Sequence, residues 1–210
     1  MLNVSDNKNN NPYIKLEDYK SFDYEIPNIF LDFIIEDKRV IVKTELKLIK
    51  KNININSLIL DGIDIFVEKI YLDESLLEEN NYSIQKNRLL IKPILKETFT
   101  LNIVGTIKPK ENFSLLGMYE SNGIITTQCE AEGFRRISYH SDRPDILSKY
   151  KVRIEANKED YPVLLSNGNL IKANDFKDKR HEVIWEDPYP KPSYLFALVA
   201  GKLNVVRDYF

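Results

Sequence analysis

Ile29-Phe30-Leu31-Asp32-Phe33-Ile34-Ile35, Glu36-Asp37-Lys38, and Arg39-Val40-Ile41-Val42-Lys43-Thr44-Glu45-Leu46-Lys47-Leu48 follow one another without a gap. The outer two runs are rich in β-branched and aromatic residues, the types that fit a pleated, half-buried surface. The three polar residues between them read as a tight turn, so the whole reads as a β-hairpin. In the second run Val40, Val42, Thr44, Leu46 and Leu48 share one face, while Lys43, Glu45 and Lys47 share the other. Alternation of period two is the signature of an antiparallel strand with one solvated side.

The same grammar repeats outward from this hairpin. Ser57–Leu60, Ile65–Leu72, Arg88–Lys92, Thr98–Ile107, Ile124–Cys129, Tyr150–Ala156, Val183–Glu186 and Tyr194–Ala200 read as strands. Asp61-Gly62, Lys108-Pro109, Ser166-Asn167-Gly168-Asn169 and Asp187-Pro188-Tyr189-Pro190 supply turn chemistry between them. Helical periodicity is confined to one short turn at Asp142-Arg143-Pro144-Asp145, with Asp142 as its N-cap. The expected fold is mainly β, a saddle-like antiparallel β-sandwich with very little helix.

The 210 residues suit one large domain, or one domain and a piece of a second. With 43% hydrophobic residues there is enough apolar material for a core. Thirty basic against 32 acidic side chains leave a net charge of −2, which argues against a nucleic-acid or anionic-membrane partner. A single cysteine excludes an intrachain disulfide framework. Residues 1–12 are Asn-, Lys- and Asp-rich and are expected to be a disordered tail; no apolar leader segment is visible, which points to the cytoplasm. Leu203-Asn204-Val205-Val206-Arg207 opens a fresh strand pattern just before Phe210, as expected for the front of a longer protein.

Few constellations carry chemistry. His181-Glu182-Val183-Ile184-Trp185 opens like a zinc-binding H-E-x-x-H, but Trp185 stands where the second ligand belongs, and the segment reads as strand. His140, adjacent to Ser141 and Asp142, forms no triad by adjacency and is expected to be a partly exposed histidine before a capped turn. Cys129, between Gln128 and Glu130, reads as a buried strand thiol whose pKa a neighbouring carboxylate would raise. Gln128 and Glu130 are the sharper pair. Two apart in a strand, they emerge on one face while Cys129 turns into the core. An amide oxygen beside a carboxylate suits a compact cation such as an ammonium, because charge-assisted hydrogen bonds are the stronger ones. Spacing alone leaves open the alternative of a solvated edge with Glu130 paired to Arg135 or Arg136.

The block Thr127-Gln128-Cys129-Glu130-Ala131-Glu132-Gly133-Phe134-Arg135-Arg136-Ile137 resembles the N-terminal domain of the aminopeptidase N family, the bacterial-type alanyl aminopeptidases among the gluzincin metallopeptidases. Asp142-Arg143-Pro144-Asp145, Tyr161–Asn169 and Lys191–Gly201 are similar to the same family, in the same order. The resemblance is dense from Gly117 to Phe210 and looser back to Tyr13, through Asp18-Tyr19 and Leu60-Asp61-Gly62.

That resemblance implies a β domain over residues 13–202 that packs against a thermolysin-like catalytic domain of the same parent chain, with residues 203–210 as that domain's first strand. The family's zinc ligands, its general-base glutamate and its G-A-M-E-N loop belong to the catalytic domain. Neither H-E-x-x-H nor G-A-M-E-N occurs here, so no catalytic residue and no metal ligand is expected in this chain, which alone should be inactive. Zinc is expected in the full-length enzyme. Gln128 and Glu130 match the family pair that binds the free α-amino group of a peptide substrate. Glu132 is assigned no direct role. Ser193 replaces the family's usual Cys, and His140 stands where an aromatic is usual. A non-catalytic β-sandwich interaction module of the same fold is the alternative function. A third, an epoxide-lipid branch, usually carries Gln at the position of Glu130.

Overall fold

The computed structural model describes residues 15–209, so the expected tail at 1–12 lies outside the described residues. Fifteen strands account for the regular structure: β1 (Tyr24–Ile35), β2 (Val40–Lys50), β3 (Leu58–Asp61), β4 (Phe66–Leu72), β5 (Ser75–Leu76), β6 (Tyr82–Gln85), β7 (Arg88–Ile91), β8 (Thr98–Ile107), β9 (Gly117–Ser121), β10 (Ile124–Gln128), β11 (Ser148–Asn157), β12 (Val163–Ser166), β13 (Asn169–Asp175), β14 (Arg180–Lys191) and β15 (Leu198–Gly201). Five single-turn 3-10 segments and no α-helix accompany them among the described residues. No helix there is long and apolar enough to cross a membrane.

The strands form three sheets, ordered β13-β14-β11-β1-β2-β8-β4-β5, β12-β15-β10-β9 and β3-β7-β6. The opening hairpin is present as read: Ile35 faces Val40 across the turn, and β2 buries alternate residues. One pairing departs from the antiparallel rule. β1 and β11 run parallel, from Asn28 beside Lys149 to Ile34 beside Glu155. A parallel pair needs a long crossover, and here most of the chain between β2 and β10 supplies it.

Inward-facing residues of the large sheet make the core, among them Leu31, Phe33, Leu46, Leu101, Val152 and Ile154, all buried. The outward face of the same sheet carries an ion lattice. Arg153 on β11 meets Asp32 at 2.7 Å, Glu155 at 2.6 Å and Glu182 at 2.6 Å, and Arg180 takes the other oxygen of Glu155 at 2.6 Å.

Three local expectations are corrected. The Asp187-Pro188-Tyr189-Pro190 turn is instead the end of β14, which runs on to Lys191. Its prolines sit where the register with β11 shifts between Ser148 and Tyr150, and a bulge tolerates residues without an N–H. Tyr194–Phe196 is not strand: a 3-10 turn, Ser193–Leu195, precedes β15. The Asn167 side chain holds that stretch, accepting from the Ala197 N–H at 2.7 Å and donating to the Leu195 carbonyl at 3.1 Å. The helical turn at Asp142 is absent, because the Asp142 carboxylate points inward instead of capping.

Candidate functional site

Strand β10 pairs with β9 on one side, Gln128 opposite Gly117, and with β15 on the other. The strand ends at Gln128, yet its alternation continues for two more residues. Gln128 and Glu130 are exposed, and Cys129 between them is buried. Both side chains reach solvent, although Glu130 already lies in the turn that follows the strand. The Gln128 Nε2 donates to the Glu130 carbonyl at 3.3 Å, which leaves the amide oxygen as the free end. The Cys129 thiol is pushed up to about 12, first by burial and then by the charge of Asp142, not by Glu130.

After Glu130 the chain turns sharply; the Glu130–Ala131 peptide is cis. The Gly133 N–H closes the turn on the Cys129 carbonyl at 2.8 Å. Two glycines make this approach feasible. A Cβ on Gly133 would overlap the Gln128 carbonyl oxygen, and one on Gly117, whose φ is +76°, would overlap Arg136. Phe134 then plugs into the core, with Phe196 at 5.4 Å, Tyr150 at 6.2 Å and His140 at 5.3 Å between ring centres. This aromatic cluster ties the turn to the large sheet through Tyr150 of β11.

Arg135 and Arg136, the expected competitors for Glu130, are taken elsewhere. Arg135 pairs with Asp142 at 3.0 Å and with Glu132 at 3.2 Å, and Arg136 pairs with Asp64. Among the described residues Glu130 has no ion-pair partner. Glu132 is thus a surface partner of Arg135.

His140 overturns its expectation. It is fully buried, in a segment from Ile137 to Asp142 that is buried throughout, and its backbone bridges to Asp61 of β3. Neither ring nitrogen finds a hydrogen-bond partner among the described residues. Burial lowers its pKa to about 4, against an opposing pull from Asp142. His181 and Trp185 both belong to β14, as expected. His181 Nε2 lies 2.8 Å from the Tyr161 carbonyl, and the Trp185 indole donates to the Leu164 carbonyl at 3.2 Å.

Sequence reasoning missed Asp142 and Ser193. Asp142 is buried and accepts from the Arg135 N–H at 3.1 Å, the Arg135 Nε at 3.0 Å and the Ser193 Oγ at 2.6 Å. The Ser193 hydroxyl thus gives a buried carboxylate a stronger donor than a thiol would. A local Asp-Arg-Pro-Asp pattern reads as a cap. Only the tertiary contact reveals otherwise.

The model of the peptidase M1 N-terminal domain matches residues 28–195, which include the turn after β10. The chain belongs to the M1 peptidase N-terminal domain family. Aminopeptidase N of Haemophilus influenzae is 42% identical over 194 residues, covering 92% of this chain and 22% of that protein. Aminopeptidase N of Escherichia coli is 39% identical over 193 residues, again 92% and 22%. The crystal structure of Legionella pneumophila aminopeptidase A in complex with aspartic acid matches with a TM-score of 0.85 and 43% identity, over 91% of this chain and 23% of that one. The M1 zinc metallopeptidase of Deinococcus radiodurans shares the fold, with a TM-score of 0.72 at 13% identity over 85% of this chain and 42% of that one. This M1 domain spans about a fifth of the length of the curated relatives it matches.

The zinc that M1 metallopeptidases imply does not fit the donors described here. No group of three or more His, Cys, Asp or Glu among the described residues is arranged to hold a metal ion. His140 is sealed among aromatic rings, His181 is engaged by a carbonyl, and the Cys129 thiol is buried and protonated.

Proposed function

We propose that this domain grips the N-terminal end of peptide substrates for a zinc aminopeptidase, with Gln128 and Glu130 accepting the α-ammonium group. The zinc and the hydrolytic step belong to a catalytic domain of the same parent chain. The observation that carries the reading is an exposed carboxylate left without an ion-pair partner while both nearby arginines are occupied, next to an amide whose oxygen is free. A terminal ammonium brings three N–H donors and a charge to such acceptors. An internal or acylated amide brings one donor and no charge, and a site built for the former rejects the latter. The domain's contribution is orientation: it fixes one end of the substrate so that the scissile bond lies at a set distance from the reacting groups.

The test is the kinetics of the full-length enzyme with Glu130→Gln and Glu130→Ala. Either change is expected to lower kcat/KM about 100-fold, or about 3 kcal/mol of transition-state binding. The zinc content should stay unchanged. Wild-type kinetics from both variants would remove the assignment.

A further inference from the structure

We propose that Asn122 is a spontaneous modification site, converted to aspartate and isoaspartate through a succinimide, and that the fold protects the same tripeptide at Asn167. Ser-Asn-Gly occurs twice in the chain, at Ser121–Gly123 and at Ser166–Gly168, and these hold its only Asn-Gly pairs. A glycine after asparagine leaves its own nitrogen open to the side chain, because it has no Cβ to obstruct the approach. That nitrogen attacks Cγ of the asparagine and gives up its proton. The amide nitrogen leaves as ammonia, and a five-membered imide remains. Water then opens either carbonyl. One opening gives aspartate; the other gives isoaspartate, in which the main chain runs through the former side chain. Either product exchanges an amide for a carboxylate and needs no oxidant or reductant.

The two copies share their local sequence, so a difference between them belongs to the fold. Asn122 and Gly123 are the two-residue tip of the β9–β10 hairpin, where Ser121 faces Ile124, and both are exposed. Asn122 at φ +50° and Gly123 at φ +78° make the left-handed pair that such a tip requires. Among the described residues the Asn122 side chain has no hydrogen bond. Nothing stands within 4 Å of the place a Cβ on Gly123 would occupy. Ring closure requires the Asn122–Gly123 peptide to rotate, and here it has open space to turn into.

The second copy is tied down. The Asn167 Oδ1 accepts from the Ala197 N–H at 2.7 Å and its Nδ2 donates to the Leu195 carbonyl at 3.1 Å, so both ends of the amide are held. Gly168 lies against β14, where a Cβ would overlap the Glu186 carbonyl oxygen. Rotating that peptide breaks two hydrogen bonds and presses the main chain on a neighbouring strand. The unprotected copy is also the one whose change is felt by its hairpin. Isoaspartate adds one methylene to the main chain of the tip, and loop length sets register. The register that pairs Ser121 with Ile124 also pairs Gly117 with Gln128.

Both sites can be followed in the full-length enzyme. The native protein is held in mildly alkaline buffer, sampled over weeks and digested, and the mass gain of amide-to-acid conversion is measured on each Ser-Asn-Gly peptide. Asn122 is expected to convert about tenfold or more faster than Asn167, the factor that two hydrogen bonds supply. In denaturant the two are expected to convert within about threefold of each other, because only local sequence then acts. Equal native rates, or a faster Asn167, overturn the proposal. So does a difference that persists undiminished in denaturant, since sequence and not fold would then set it. Methyl transfer by an isoaspartyl methyltransferase to the digested peptide that spans β9 and β10 gives a second readout. Asn122→Gln places the carbonyl carbon one methylene too far for the five-membered ring and is expected to abolish methyl acceptance there. A variant peptide that gains it as fast as wild type overturns the assignment to Asn122.

Discussion

Replacing His140 by phenylalanine tests the interior beneath the turn that follows β10. The histidine ring meets Phe134 edge-on at 5.3 Å and is fully buried, with two unpartnered nitrogens. Burial lowers its pKa from 6.5 to about 4, Asp142 pulling the other way. A group whose folded pKa lies below its unfolded value binds fewer protons in the native state across that window. The stability this gives is fully present above the unfolded pKa and is lost as pH falls from about 6.5 to about 4. The full span is worth about 3 kcal/mol, most of which falls between pH 7 and pH 4.5. Phenylalanine keeps the ring and cannot titrate. It also removes two buried polar atoms that lack partners, which is worth roughly 1–3 kcal/mol.

Urea unfolding of both proteins reads the difference, since every other titrating group is common to them. The variant is expected to be more stable near neutral pH, and its advantage is expected to widen by about 2 kcal/mol near pH 4.5. A gap that does not change with pH would mean that His140 is not held neutral by the core. A variant less stable at both pH values would mean that the ring nitrogens have partners, such as an internal water, and that the orphaned-histidine argument is wrong.

Two further outcomes follow from buried groups. The Cys129 thiol, pushed up to about 12 by burial and by Asp142, should ignore a thiol reagent near pH 8 in the native protein and react fully in denaturant; rapid native labelling would show that the end of β10 opens. Burial disfavours the charge of Arg153, yet Asp32, Glu155 and Glu182 hold its pKa up, so Arg153→Met takes the shared partner from three carboxylates that keep only Lys43, Arg180 and Lys172, at a cost of about 1–3 kcal/mol near neutral pH. Glu155 and Glu182 have folded pKa values below 4.5 despite burial, because the arginines bond them, so wild type should lose that stabilisation as pH falls below about 4.5; a urea midpoint difference between wild type and variant that does not shrink there would refute the lattice.

The hairpin at Ile29–Leu48 was legible because side-chain period alone separates a buried face from a solvated one, and the large sheet enforces that separation. The Gln128/Cys129/Glu130 alternation was legible for the same reason, even though Glu130 lies beyond the strand. What stayed hidden depends on contacts distant in sequence. Asp142 carries every local mark of a helix cap, yet its partners are Arg135 and Ser193, which its neighbours in sequence do not reveal. His140 looked polar enough for a surface, but its backbone is drawn inward by the bridge to Asp61. β13 buries almost nothing, so its composition carries no alternation that would mark a strand. The parallel pairing of β1 with β11 likewise leaves no trace in either strand's pattern.

Magnitudes say what this domain can and cannot do for recognition. An exposed carboxylate and an ammonium at about 4 Å attract by only about 1 kcal/mol in water, and by about 4 kcal/mol at the dielectric of a partly covered surface. Glu130 is exposed in the chain as it stands, so alone it distinguishes a free amine from an acylated one weakly. Discrimination over orders of magnitude needs a second surface to exclude water from the pair. What the β domain adds is fixed geometry: two glycines that let the turn close, a phenylalanine locked in the core beneath it, and arginines already occupied. The backbone that carries the Glu130 carboxylate is fixed in this way, so binding has only the rotamers of one exposed side chain to order, and whatever covers it gains the rest of the electrostatic difference. Preorganisation on one surface and dehydration by another are separable contributions, and the residues described here account for the first.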